Sequence, residues 1–494
     1  MKYKIYILPY KKTIFAEQGD LLLSVLAKNG YIISAPCGGR GTCGKCTVGL
    51  VVDENIVYVQ ACKTFVNGDV TVMVGDERGD GVDFFRPQKI EGEQDGLGVA
   101  LDIGTTTMAV CLVDMRTGET LRKASCLNPQ SVFGADVLSR IHACQEGNLQ
   151  ALQRLVIDKT AELLAEIAHG EKVKELVIAA NTTMLHLFLG VNPESIGGAP
   201  FMPVFTEMQS CTGEQLGLPV EKITLLPSVS GYIGGDITSG LLACGILQNK
   251  SNALFVDIGT NGEIVLSRQG ELYATSTAAG PALEGACIEC GLGGVDGAID
   301  KVFYQDKELR FTTIGNTNPK GICGSGLVDL IAVLFKEGLI DENGAWSEDS
   351  TSALSGKLKD DKFYLTDTVY LSQKDIRQFQ LAKSAIRSGI ETLLCERGIC
   401  IEDIQTLYVA GGLGYYLNLK NAGHVGLLPT SLLDRIQLVG NTSLQGATLC
   451  LLKQIYRQEI ERIAKCAEVV ELSSSKYFMD AYIENMSFIE ETDV

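Results

Sequence analysis

"ALDIGTTTMAV", residues 100–110, is the stretch on which the reading of this chain turns. An apolar run closes on Asp102, a short turn of Gly104, Thr105 and Thr106 follows, and a second apolar run begins beyond Thr107. A tight turn after an Asp-ended strand presents consecutive backbone N–H groups, which with Gly and Thr can cradle phosphate without a lysine-bearing loop. The tetrapeptide Asp-Ile-Gly-Thr returns in "LFVDIGTNGEI", residues 254–264, again between an apolar strand and a second strand. Because the match extends to local architecture, two similar halves are expected. Taken singly, Asp102 and Asp257 fit equally the role of turn-capping residues.

Working outward, helical periodicity covers 149–168, 236–249 and about 442–464, and "SQKD" from Ser372 reads as a capping box before another helix. "LYVAGGLGYYLN", 407–418, is a strand running into Gly411 and Gly412. Gly280 and Pro281 suit a loop close to the cleft between the halves, with the cleft within the length of the Glu284 side chain. Cys287 and Cys290 are expected to be packed thiols, and Gly324 and Ser325 open a helix as an anion site or an ordinary cap. Asn181 and Thr182 end an apolar strand where a site residue can sit, and His186 reads as a satisfied core residue.

The N-terminal part follows a different pattern. Residues 3–8 and 11–15 alternate as a hairpin, and 20–30 form a short helix with Asp20 as N-cap and Gly30 beyond its end. A Gly-rich loop then carries Cys37, Cys43 and Cys46, spaced C-x5-C-x2-C, with Cys62 as the fourth. Three thiolates on a loop freed by Gly38, Gly39, Gly41 and Gly44, with Cys62 as the fourth, can wrap two irons, while a zinc site is the alternative for four cysteines. The spacing resembles the adrenodoxin-like branch of the [2Fe–2S] ferredoxins. The expected order is a β-grasp ferredoxin unit at 1–78, a linker at 79–97, and two lobes at 98–251 and 252–494.

A net charge of −18 argues against nucleic acid as ligand, since such binding draws on clustered Lys and Arg. No apolar run is long enough to span a membrane, and the lysines and Pro9 near the start read against a signal peptide. A cytoplasmic location follows, and there the 16 cysteines favour metal sites and free thiols over disulfides. Cys111, Cys244 and Cys450, in apolar segments, read as small buried hydrophobes.

The paired hairpins and the glycine turn resemble the superfamily of actin, heat-shock chaperones and sugar kinases, an α/β fold of two RNase H-like lobes. That resemblance implies ATP and Mg²⁺ between the lobes. It assigns Thr105, Thr106 and Thr107 to the first phosphate loop and Gly259, Thr260 and Asn261 to the second. It also implies that Asp102 and Asp257 hold metal-bound water, that Gly411, Gly412 and Gly414 line the adenosine side, and that Asp236 is the base. With the ferredoxin-like segment, "NPQSVFGADVLSRI", "GPALEGA" and "ICGSGLVDL" included, the chain resembles the reductive activators of corrinoid proteins over nearly its whole length. The resemblance implies one-electron return of an inactive Co(II) corrinoid to Co(I) at the expense of ATP. The partners implied are a corrinoid protein of a methyltransferase system and an upstream low-potential reductant, with a homodimer as the expected assembly. Ferredoxin clusters lie near about −400 mV, and the family's acceptor is harder to reduce, so each further ~59 mV costs a factor of about ten in equilibrium constant. The competing readings are a small-molecule kinase with a ferredoxin regulatory unit and an ATP-driven electron activator of a non-corrinoid client.

Overall fold

The structure, a computed structural model, describes residues 2–8, 12–29, 47–52, 55–73, 90–134, 136–285, 287–305, 307–347, 350–414 and 417–488. Strands β1 (Lys2–Leu8), β2 (Lys12–Glu17), β3 (Thr47–Val52), β4 (Asn55–Gln60) and β5 (Val70–Met73) form one sheet in the order β2-β1-β5-β3-β4. Alternation in β1 puts Ile5 and Ile7 into a small core with Leu22, Leu26 and Val72, while Lys4 and Tyr6 face out. The helix Leu22–Lys28 follows the hairpin as expected, but Asp20 does not cap it. Its carboxylate accepts from the Glu17 N–H at 2.8 Å, closing the turn, and the Leu22 N–H is taken by the Thr64 carbonyl. Gly30 lies outside the described residues.

The rest of the described chain builds two sheets of six strands and two small ones of three. One of the larger two contains β6 (Leu97–Ile103), β7 (Thr107–Asp114), β8 (Thr120–Leu127), β9 (Val173–Ala180), β10 (Gln209–Thr212) and β11 (Val220–Leu225), in the order β10-β11-β9-β6-β7-β8. The other starts with β12 (Ala253–Ile258), β13 (Gly262–Arg268) and β14 (Glu271–Thr277) and adds Thr406–Ala410, Ile436–Gly440 and Ala467–Val469. In each, three consecutive strands form an antiparallel meander, and two later strands join the free side of the first in parallel. The repeat of Asp-Ile-Gly-Thr is therefore a repeat of topology, and both copies end the central strand of a sheet. β6 and β12 are apolar almost without interruption because helices or strands cover both faces, whereas the edge strand β8 alternates, with Lys123, Ser125 and Leu127 exposed and Arg122, Ala124 and Cys126 partly covered.

The helix Leu149–Ala168 occupies the expected residues, and Ser372 with Asp375 forms the expected capping box at the start of Gln373–Glu396. The helix expected over 236–249 stops at Ala243, because Gly245 takes φ 61° and turns the chain. The helix expected over 442–464 is two, Thr442–Leu452 and Gln454–Cys466, separated by an extended Lys453. Arg457 stabilises the break by donating from Nε to the Cys450 carbonyl at 2.7 Å, which the interrupted ladder leaves free. Among the described residues no helix is long and apolar enough to cross a membrane.

Two contacts in the interior help to hold the sheets together. The helices Gly235–Ala243 and Thr442–Leu452 cross so closely that a Cβ on Gly446 would lie 2.1 Å from the Ser239 carbonyl oxygen. Around them Ala100, Val177, Phe255, Ala447 and Leu451 make one core shared by both sheets. Behind it Arg457 grips Glu175 of β9 with two bonds of 3.0 and 2.7 Å, and Thr224 donates to the same carboxylate. Burial pushes the Glu175 carboxyl up, but Arg457 outweighs it, so the pair stays ionised and its contribution is lost only as acid protonates Glu175. Arg457→Ala leaves that buried charge with Lys222, at 3.2 Å, as its remaining cationic partner and is expected to cost about 2–3 kcal/mol in urea unfolding at pH 7. The double variant Glu175→Leu/Arg457→Met should recover most of the loss, and a single-variant loss below about 1 kcal/mol would show the pair to be dispensable.

Candidate functional site

Both Asp-Ile-Gly-Thr turns close in similar ways. Gly104 N–H donates to the Thr107 carbonyl at 2.9 Å, and Gly259 N–H to the Asn261 carbonyl at 3.0 Å. The backbone N–H groups of Thr105, Thr106, Thr260 and Asn261 make no hydrogen bond among the described residues. Free donors in tight turns are what a phosphate needs. The two turns also meet through one side chain. Gly280, at φ 76°, starts the turn Pro281–Glu284, and one oxygen of Glu284 accepts from Thr106 Oγ1 at 3.0 Å and from Thr260 Oγ1 at 2.6 Å. Asn181, the N-cap of Thr182–Leu189, donates to Thr105 Oγ1 at 3.2 Å.

The three predicted aspartates converge on the same place. Asp102 accepts from Asn441 Nδ2 at 2.7 Å and Ser443 Oγ at 2.8 Å, both at the start of the helix Thr442–Leu452 in the other half. Burial pushes its carboxyl up and these two bonds pull it back. Asp236, in the first turn of Gly235–Ala243, is pushed to about 7 by burial and then by Asp102. Asp257 is pushed to about 8 by burial, then by Asp236, Asp102 and Glu284. Glu263, which sequence reasoning missed, is raised well above the usual range by burial and by Asp236 and Asp257. Its signal was only that it is the first acid after the second turn. Asn441 and Ser443 were missed too, since nothing local ties them to Asp102.

Gly411 takes φ 90°, and a Cβ there would lie 2.7 Å from Asp257 Oδ1, so glycine lets that strand end approach. Gly412 faces open space, and Gly414 ends the short helix Gly411–Gly414. Thr107 begins β7 beside the first turn. Ser325 spends its hydroxyl on the Asp300 carbonyl at 2.8 Å, leaving it no bond for an anion. His186 is buried, bonded at both ring nitrogens and stacked on Phe205, the satisfied core residue expected. Cys111, Cys244 and Cys450 are buried as expected, but Cys287 is exposed, at φ 63°, and is not a packed thiol. Cys62 is buried in the turn Ala61–Lys63 after β4, and Cys37, Cys43 and Cys46 lie outside the described residues.

The arrangement concentrates carboxylates beside the two Asp-Ile-Gly-Thr turns. No three acidic, His or Cys side chains among the described residues are grouped to ligate a metal ion directly. Asp102 and Asp257 could hold a hydrated cation such as Mg²⁺, which usually keeps several of its waters. Crowding also makes stability depend on pH. The folded state holds protons on Asp236 and Asp257 that the unfolded chain releases near pH 4, so stability falls as pH rises from about 4 to about 8. Asp236→Asn is expected to melt at a higher temperature than the parent at pH 8.5 and to lose that advantage at pH 5. A difference in melting temperature that does not change with pH would contradict the crowding.

With this geometry in hand, the relatives are informative. The family model described as the C-terminal domain of RACo, the ASKHA domain, matches residues 251–494, and that of the RACo middle region matches 97–249. The corrinoid activation enzyme RamQ of Eubacterium limosum is 34% identical over 426 residues, 81% of this chain and 71% of that protein. The [Co(II) methylated amine-specific corrinoid protein] reductase of Methanosarcina barkeri is 24% identical over 438 residues, 79% and 77% of the two chains. A solved reductive activator for corrinoid, iron-sulfur protein superposes with a TM-score of 0.74 at 28% identity, covering 98% of each chain. Paired sheets of the ASKHA type and relatives matched over most of their length place this chain in the family of reductive activators of corrinoid proteins.

Proposed function

We propose that the chain uses ATP to drive one electron from a [2Fe–2S] cluster onto the inactive Co(II) corrinoid of a methyl-transfer corrinoid protein, regenerating Co(I). The observation that carries the ATP half is Glu284, whose single oxygen joins Thr106 of one half to Thr260 of the other. A polyphosphate lying between the turns competes for those hydroxyls, so nucleotide occupancy and the relation of the halves are linked. Such a link performs work on a client only if the two states bind it with different affinity.

In this reading Thr105, Thr106 and Thr107 hold phosphate from one side, and Gly259, Thr260 and Asn261 from the other. Gly280 places Glu284, while Gly411, Gly412 and Gly414 leave room for adenosine. Asp102 and Asp257 orient the water of Mg²⁺. Asp236, whose carboxyl sits at about 7, is the base that takes a proton from the attacking water at neutral pH. Cys37, Cys43, Cys46 and Cys62 hold the cluster, within a unit ending near 78 and joined by a linker to lobes at 98–251 and 252–494. The cluster supplies one electron at low potential, refilled by an upstream reductant in the cytoplasm.

The test is to mix the reduced full chain, MgATP and an oxidised corrinoid protein without oxygen and follow the Co(I) absorption band. Cys46→Ser should abolish the band while ATP still binds. Asp257→Ala should keep the cluster yet lose ATP hydrolysis by about 100-fold or more. Co(I) formed equally fast without ATP, or a chain free of iron after anaerobic reconstitution, would end the proposal.

A further inference from the structure

Behind the first phosphate turn lies a cation that none of the roles above uses. Arg140, in the helix Val137–Gln145, is fully buried. Its Nη2 donates to the Thr105 carbonyl at 2.5 Å, its Nε to the Gly134 carbonyl at 3.1 Å, and its Nη1 lies 3.3 Å from Gln130 Oε1 and 3.2 Å from Met184 Sδ. All four partners are neutral, and among the described residues no carboxylate touches it. Asp136, four residues earlier, spends its oxygens on the Ser139 N–H and hydroxyl, each at 2.8 Å. A buried guanidinium with no paired acid is costly unless something else uses its charge.

Asn128 works beside it. Its Nδ2 donates to the Gly104 carbonyl at 2.9 Å, and its N–H to the Thr106 carbonyl at 2.8 Å. Three successive carbonyls, of Gly104, Thr105 and Thr106, are thus drawn to the rear of the turn. In a trans peptide the N–H of the next residue points opposite to the carbonyl. Pulling these oxygens back therefore turns the following N–H groups forward, and those of Thr105 and Thr106 are the unbonded donors described above.

We propose that Arg140 is a positioning residue for nucleotide phosphate: it fixes the first turn with its donors forward and places behind them a positive charge that no carboxylate touches, Asp136 acting on it only through space. Burial lowers the guanidinium to about 10, so it remains charged at neutral pH. The charge offsets the acidic side chains that face the phosphates from the other half, in a chain whose turns carry no lysine. Gly134 makes room for this arrangement, since a Cβ there would lie 2.3 Å from Ser139 Cβ.

The inference rests on the nucleotide reading above, and its test separates the two. MgATP and adenosine are titrated calorimetrically into the full chain, into Arg140→Met, which fills the space without charge, and into Arg140→Lys, which keeps the charge and loses the fork. Arg140→Met is expected to weaken MgATP by about 10- to 100-fold and adenosine by less than about 2-fold. Arg140→Lys should recover part of the MgATP loss. If Arg140→Met fails to fold, Arg140→Lys decides alone, through a loss for MgATP that adenosine does not share. Equal losses for both ligands, or none for either, would make Arg140 a merely structural residue and overturn the proposal. A parent chain that binds no MgATP would overturn the nucleotide reading itself.

Discussion

The carboxylates of Asp102, Asp236, Asp257 and Glu263 are held within reach of one another's charge where the central strands of two sheets end, and the rest of the molecule is arranged around that repulsion. Left to themselves, like charges in a partly desolvated space would separate or take up protons. They are kept together by contacts that lie behind them. The glycine-mediated crossing of Gly235–Ala243 and Thr442–Leu452 fixes the distance, and the buried Glu175–Arg457 pair locks the second layer.

That arrangement stores the capacity to respond to a cation and an anion together. In the proposed function a hydrated divalent ion relieves the repulsion, and a polyphosphate engages donors that otherwise have no partner or are occupied by Glu284. Because Asp102 is bonded to Asn441 and Ser443 of the other half, while Glu284 joins Thr106 to Thr260, each ligand group that enters bears on both halves. The proposed ATP-driven reduction of a corrinoid in another protein calls for such a device, since a link between nucleotide and client needs two states of the halves.

Much of this could be read along the chain. The doubled Asp-Ile-Gly-Thr, with apolar runs on either side, anticipated two sheets of one topology with an aspartate at the end of each central strand. The Ser372 capping box and the helix at 149–168 could be read because their determinants lie within one or two turns of backbone. The break at Lys453 could not, as no Gly or Pro marks it and its stabilising partner, Arg457, is engaged with Glu175 far away in sequence. Asp20 misled for the opposite reason: a good capping residue found a nearer donor in Glu17, and strand pairing at Leu21 used the position.

What the sequence by itself determined was local: two Asp-Ile-Gly-Thr turns, the strands flanking them, the cysteine spacing and the glycines that permit close approach. These follow from backbone sterics and short-range hydrogen bonding, which neighbouring residues decide among themselves. Only the tertiary structure decided that Asp236 and Glu263 share a field with Asp102 and Asp257, that Glu284 spans both turns, and that Arg140 stands behind one of them. Desolvation and Coulomb forces act through space and ignore chain order, so they come into being only when distant segments are packed together.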